Sequence, residues 1–313
     1  MSCLDSLELQ FFSSLFNGLA IGSIYALIAL GLSMVYGILN LINFAHGEVF
    51  MVGSFAALGI LTTLGAGPMR GGVGLIAIVV LAGVVAIAAS GVAAMLLEVV
   101  AYRPLRRFGA PRHASMISGM GASIFLQELF ALAFGRSNLP YPQVVPSKPL
   151  LVLGDGRITG KMVVIFIATV GMMLALDYFI VKTRYGRGMR ALAQEPRAAS
   201  LVGVNASSVI LVTFLVGGLC AGLGGFLYGL YFSKANYLLG FLPGLKGLTA
   251  SVLGGVGNLP GAVLGGLLLG LIENFGVVCM PSEYKDVIGF AALLLMLIFR
   301  PKGLLGERFS PAR

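Results

Sequence analysis

Long apolar runs separated by short polar punctuation organise the chain. Apolar side chains dominate about Phe16–Leu39, Phe44–Leu64, Val73–Val99, Ala114–Phe134, Met162–Val181 and Ser208–Phe232. Each run is roughly 20 residues or more, the length a helix needs to cross the hydrocarbon of a bilayer. None alternates apolar and polar positions as the strands of a membrane barrel do. From Gly240 to Val278 the sequence stays apolar but is punctured by Pro243, Gly254-Gly255, Gly257-Asn258 and Pro260-Gly261. Two short or broken helices turning near Gly257 to Gly261 are expected there. A last span follows at about Val287–Phe299. The pattern predicts an all-α membrane protein: a polytopic helix bundle of roughly eight to nine transmembrane helices, some broken or short. One transmembrane domain is expected to cover residues 1–313.

The polar intervals carry the turns. Asn40 to Asn43 joins the first two spans. Arg136–Gly160 holds Pro140, Pro142, Pro146 and Pro149, and within it LLVLGDGRIT has the form of a small β-hairpin turning at Gly154-Asp155-Gly156. The interval Lys182–Val209 opens with Lys182, Arg184, Arg187 and Arg190 and then reaches Glu195-Pro196. Proline disfavours α backbone in the residue before it but suits the first turn of a helix. Pro196 therefore starts a short helix and Gly203 stops it. Two turns of small residues cannot span a bilayer. Such a helix fits a groove on another protein, or serves as an ordinary solvated connector.

Composition agrees with a membrane protein. Hydrophobic residues make up 58% and charged residues 11% of the chain, with a mean hydropathy of +0.97, whereas soluble domains carry about 25% charge. The net charge of +9 does not indicate nucleic acid, because the basic residues gather in a few short loops. Positive loops stay in the cytoplasm. With each span a single crossing, Arg103–Arg112, Lys182–Arg197 and the tail from Arg300 fall on that side, the N-terminus outside and the C-terminus cytoplasmic. The start, MSCLDSLELQ, is acidic and lacks a cleavage pattern, so no signal peptide is expected. Cys3, Cys220 and Cys279 show neither metal spacing nor a disulfide framework.

Few residues could carry chemistry. Ionisable groups inside a bilayer are costly and by default line a pathway or a polar contact. His46 and Glu48 open the second span. Two residues apart, they lie roughly 200° round a helix and share a face only if Gly47 breaks it. Asn43, His46 and Glu48 then form a broken-helix polar site, or they cap the turn near the interface. Glu273 and Asn274 line a vestibule or bond a neighbouring helix. Lys246 is isolated and expected to snorkel outward, and Glu98 reads as a solvated helix end. No HExxH, G-x-S-x-G or GxxxxGK[ST] occurs, so no catalytic residue, metal or nucleotide site is expected.

Several stretches carry a family resemblance. They are Gly18–Ser54, EVVAYRPLR at Glu98–Arg106, YGRGMRALAQEPRAASLVGVN at Tyr185–Asn205, Leu248–Glu273, EYKDV at Glu283–Val287 and RPKGLLG at Arg300–Gly306. Together they cover nearly the whole chain, which resembles the branched-chain amino-acid permease family of ABC importers, of the high-affinity uptake type. Ala198-Ala199 and Gly203 fit the core of the coupling loop, although Arg stands at 197 and Thr at 213. The resemblance implies an ABC importer permease in a bacterial inner membrane, with a cytoplasmic coupling loop at 182–207 and an extracytoplasmic loop at 136–160. It also implies a second homologous permease, two ATPase subunits and an extracytoplasmic binding protein, which the Pro-rich loop 136–160 would meet. Arg187, Glu195, Pro196, Ala198, Ala199, Leu201 and Gly203 would address the ATPases. ATP would be hydrolysed by those partners, with no cofactor in this chain. The alternatives are a urea or short-amide permease of the same family, a self-sufficient secondary transporter, and, more remotely, an intramembrane enzyme using His46 and Glu48.

Overall fold

The computed structural model describes residues 8–66, 73–145 and 149–306. The expectations for Cys3, Pro146 and the tail beyond residue 306 lie outside the described residues. The helices are α1 (Phe11–Leu39), α2 (His46–Thr63), α3 (Val73–Leu97), α4 (Arg103–Arg107), α5 (Arg112–Phe134), α6 (Gly160–Lys182), α7 (Arg184–Gln194), α8 (Pro196–Leu201), α9 (Ala206–Phe232), α10 (Phe241–Gly254), α11 (Leu259–Cys279) and α12 (Lys285–Phe299). Six stretches among the described residues are long and apolar enough to cross a membrane: α1, α3 with its continuation to Arg107, α5, α6, α9 and α11. The other helices fall short in length or apolarity.

α1 is the axle of the bundle. Its most apolar window is 94% buried, against 17% for α5 and α6, so the latter two lie at the periphery. α1 runs without proline to Asn40, whose left-handed φ of 50° ends it; asparagine is among the few side chains that tolerate that conformation. Its other end is capped from afar. The Asp155 carboxylate accepts from the backbone N–H of Phe12 and Ser13, both at 3.2 Å, satisfying two donors that the first turn leaves open. Asp155 is held there by the expected hairpin, β2 (Pro149–Leu153) with β3 (Gly156–Thr159).

α11 lies along α1 through small residues. Gly18 and Gly22 on α1 meet Gly266 and Gly270 on α11, and a Cβ on Gly270 would overlap the backbone of Gly22. Small residues four apart on facing helices let backbones touch, which is where packing in lipid comes from. Gly270→Val is therefore expected to pry α1 from α11 at a cost of at least about 1–3 kcal/mol. Reduced membrane accumulation and a lower melting temperature in detergent would show it; an unchanged melting temperature would refute this close approach.

Several expectations need correction. The third span does not end near Val99 but passes through a π-helical turn, Glu98–Tyr102, into α4. Glu98 is not solvated: it is 1% exposed and pairs with Arg106 at 2.5 Å, as a buried carboxylate requires. Lys246 does not snorkel. It is buried among α1, α11 and α12, with Nζ 2.9 Å from Glu273 and 2.7 Å from Asp286, because Glu273, fully buried, draws it inside the bundle. Cys279 is disulfide-bonded, against the expected lack of pairing. The interval after Lys182 holds two helices. α7 precedes the short α8, buries Met189, Leu192 and Ala193 at helical spacing, and is capped by the Thr183 side chain accepting from Gly186 N–H at 3.0 Å. A two-residue pairing, β1 (Leu139–Pro140) with β4 (Lys234–Ala235), was too short to leave a periodic signal.

Candidate functional site

Two helices begin inside the bundle rather than at its ends. The His46 ring packs against Gly31 and its side chain bonds the backbone of Ile28. Gly31 lies eight residues before Leu39 at the end of α1, roughly 12 Å along the axis. After α1 ends, the chain therefore climbs back before α2 starts. Irregular backbone at such depth must be satisfied by protein. Asn43 does this: its Oδ1 accepts from Ala45 N–H at 3.0 Å and from the Tyr102 hydroxyl at 2.8 Å, and its carbonyl accepts from His46 N–H at 3.2 Å. Tyr102 is fixed in turn by the ring of Phe214, 5.3 Å between centroids.

The start of α10 meets the start of α2. A Cβ on Gly47 would collide with the carbonyl of Gly240, and one on Gly240 with the carbonyl of Gly47. Glycine at 47 thus serves this backbone contact and does not break a helix. α2 is continuous from His46, so His46 and Glu48 point to opposite sides, His46 to α1 and Glu48 to α5. The Glu48 Oε1 accepts from Gln127 Nε2 at 2.7 Å and from the Ser123 hydroxyl at 3.2 Å. Its Oε2 and the Nε2 of His46 are buried without a hydrogen-bond partner among the described residues.

These groups border a cavity of about 390 Å³. Asn43, His46, Glu48, Ser123 and Gln127 supply its polar lining. Leu32, Ile42, Phe44, Met120, Ile124, Phe241, Leu245 and Leu248 supply the apolar wall. Small-molecule sites of about 300–1,000 Å³ are built in this way, with an apolar wall and a few placed polar groups. The structure brings three of the five expected pathway residues together here. Glu273 and Asn274 are elsewhere. Glu273 is fully buried against Lys246 and the Tyr25 hydroxyl, 3.1 Å away, and Asn274 bonds the carbonyl of Gly270 on its own helix. Ser123, Gln127 and Tyr102 escaped the sequence-based site; the first two were legible as polar residues four apart in an apolar span.

The interval around α8 is a separate feature. Pro196 is its first residue, Glu195 accepts from Ala199 N–H at 3.0 Å, and Gly203 ends it with φ of +86°. Ala199 is buried and Ala198 exposed, while Leu201 is 88% and Val202 79% exposed. Arg187, on α7, lines a second cavity of about 660 Å³ together with Asp177 and Gln194. The expected coupling residues are thus spread over α7, α8 and the residues flanking α8, with Leu201 at its last turn and Val202 just beyond it both bare.

The profile of the family described as "Branched-chain amino acid transport system / permease component" matches residues 14–297. The chain belongs to that family. Over 304 residues the permease is 41% identical to the high-affinity branched-chain amino acid transport system permease protein BraD of Pseudomonas aeruginosa, covering 95% of this chain and 96% of the relative. It is 42% identical to the corresponding protein LivH of Escherichia coli K12, with 96% of each chain covered. It is also 26% identical to a probable branched-chain amino acid transport permease protein LivH of Methanocaldococcus jannaschii, over 91% of this chain and 89% of that one. Among solved structures, PsaBC from Streptococcus pneumoniae in complex with Fab matches over 96% of both chains with 12% identity and a TM-score of 0.49.

Proposed function

We propose that this permease is the transmembrane subunit of an ABC importer that moves branched-chain or related hydrophobic amino acids into the cell. Relatives of near-equal length at 41–42% identity carry that activity in their names. The observation that carries the reading is the pairing of a membrane-embedded cavity with an exposed apolar knob on α8. The exposed Leu201 and Val202 support a docking role for α8, and the partner in this reading is an ATPase subunit. A second homologous permease, two ATPase subunits and an extracytoplasmic binding protein complete the assembly, the last engaging the loop 136–160. In this reading α1, α3, α5, α6, α9 and α11 cross the bilayer fully, and the shorter α2, α10 and α12 complete nine passes. The N-terminus is outside, and the basic loops and C-terminus are cytoplasmic.

Closure of the ATPase pair would push α8 and, through α7 and the ends of α6 and α9, rock packed helices as rigid bodies between two states. The cavity at Glu48 would be exposed to one side and then the other. The test is reconstitution. Vesicles holding the whole complex should accumulate leucine only with ATP inside the ATPase compartment, and vesicles holding this chain alone should take up none under an imposed ion gradient. Gradient-driven uptake by the lone chain would overturn the ATP-coupled reading in favour of a self-sufficient transporter. ATP-driven uptake of urea without leucine would reassign the substrate.

A further inference from the structure

We infer that the Glu48 carboxylate is the counter-ion for the ammonium group of the amino acid in transit, and so decides which solutes this cavity passes. The inference rests on the permease reading above and names a recognising atom within it. Glu48 is 1% exposed, and both groups that bond its Oε1, the Ser123 hydroxyl and the Gln127 amide, are neutral. None of the ion pairs among the described residues includes it. Its Oε2 has no hydrogen-bond partner among the described residues. Buried carboxylates in membranes are retained beside a cation or a ligand, and a buried polar atom left unpaired calls for an explanation.

The surroundings say which ligand fits. Oε2 packs against Gly240, where a Cβ would come within 2.6 Å of it, so only glycine leaves room for that oxygen. The wall beside it is apolar, from Leu32, Phe44, Met120, Ile124 and Phe241. A buried carboxylate that lines a largely apolar cavity and has no ion pair among the described residues suits a cationic head on a short branched hydrocarbon. A charge-assisted N–H···O⁻ bond is roughly twice as strong as a neutral one, so a neutral or anionic analogue lacking the ammonium group is discriminated against. The cluster of Lys246, Glu273 and the partly exposed Asp286 offers no such opening, since its cation and anions pair with each other.

Two measurements decide the matter, both on the assembled complex. In the first, Glu48→Gln, which keeps the hydrogen bonds to Ser123 and Gln127 but removes the charge, is compared with wild type for ATP-driven leucine uptake into vesicles. Uptake is expected to fall at least about tenfold, with co-purification of the ATPase subunits confirming that the variant complex assembles. Leucine uptake at the wild-type rate would overturn the inference. In the second, Met120→Cys is labelled with a maleimide in a complex that retains Glu48 and lacks the binding protein. Leucinol, which keeps the ammonium group and lacks the carboxylate, should slow labelling; 4-methylpentanoate, which lacks the ammonium group, should not. Equal protection by both, or protection by neither, would overturn it even if the Gln variant assembles poorly. If the wild-type complex takes up no leucine, the permease reading fails on its own, and the leucinol result still reports on Glu48.

Discussion

Lys246→Met is expected to remove most of the permease from the membrane. In the wild type the ammonium group of Lys246 lies 2.9 Å from Glu273 and 2.7 Å from Asp286, and the Tyr25 hydroxyl donates to Glu273 at 3.1 Å. Glu273 is fully buried. Methionine fills the space of the lysine stem but leaves that carboxylate without its close cation, and Lys285, 3.8 Å away, compensates only in part. Breaking a buried pair by removing one partner costs about 3–5 kcal/mol, a large share of any protein's net stability. The double variant Lys246→Met, Glu273→Gln should recover a good part of the loss, because it no longer buries an unmatched charge. Membrane accumulation and detergent melting of the three proteins give the answer. A single variant as abundant and stable as wild type would show that this cluster does not hold α10 against α1, α11 and α12.

Leu201→Asp combined with Val202→Asp is expected to abolish uptake while leaving this chain folded in the membrane. Both side chains are bare here, at 88% and 79% exposure, so their replacement disturbs no packing within the permease. α8 keeps its own supports: Pro196 at the first turn, the Ala199 N–H bonded to Glu195, and Gly203 at the stop. Burying each apolar side chain in a partner's groove is worth about 1.5–3 kcal/mol. Losing both weakens ATPase association by roughly a hundredfold or more, before any penalty for placing carboxylates in that groove. Co-purification of the ATPase subunits should fail in step with uptake. Retained co-purification with normal uptake would move the docking surface elsewhere.

The long spans, the hairpin at Gly154-Asp155 and the short helix from Pro196 to Gly203 were legible because each has a local cause: an apolar run, a turn pair, a proline start and a glycine stop. The break after Gly254 was legible for the same reason, but only α10 is short: α11 is a continuous 21-residue helix that already contains Pro260 and Gly261. Depth was not. Nothing near His46 announces that α2 begins beside Gly31, since that position is fixed by Asn43 and Tyr102, 59 residues apart in sequence, and by the glycine crossing of Gly47 with Gly240. For the same reason Lys246 and Glu273 looked like two unrelated polar residues, one at a rim and one in a vestibule. Their pairing joins elements 27 residues apart and is decided by helix packing. Gln127 stands out as a polar residue in its span, but its role needs Glu48 opposite it. The candidate site was thus half visible in sequence: Asn43 and the residues at the start of α2 were, and Ser123 and Gln127 on α5 were not.

If this chain is a conduit moved from the cytoplasm through α8, a cross-link at α8 should show it. Leu201→Cys in the assembled, membrane-embedded complex should couple to an engineered cysteine on an ATPase subunit and resist a membrane-impermeant thiol reagent added outside. An introduced thiol that reacts with the outside reagent, or one that finds no ATPase partner in an actively transporting complex, would contradict the account.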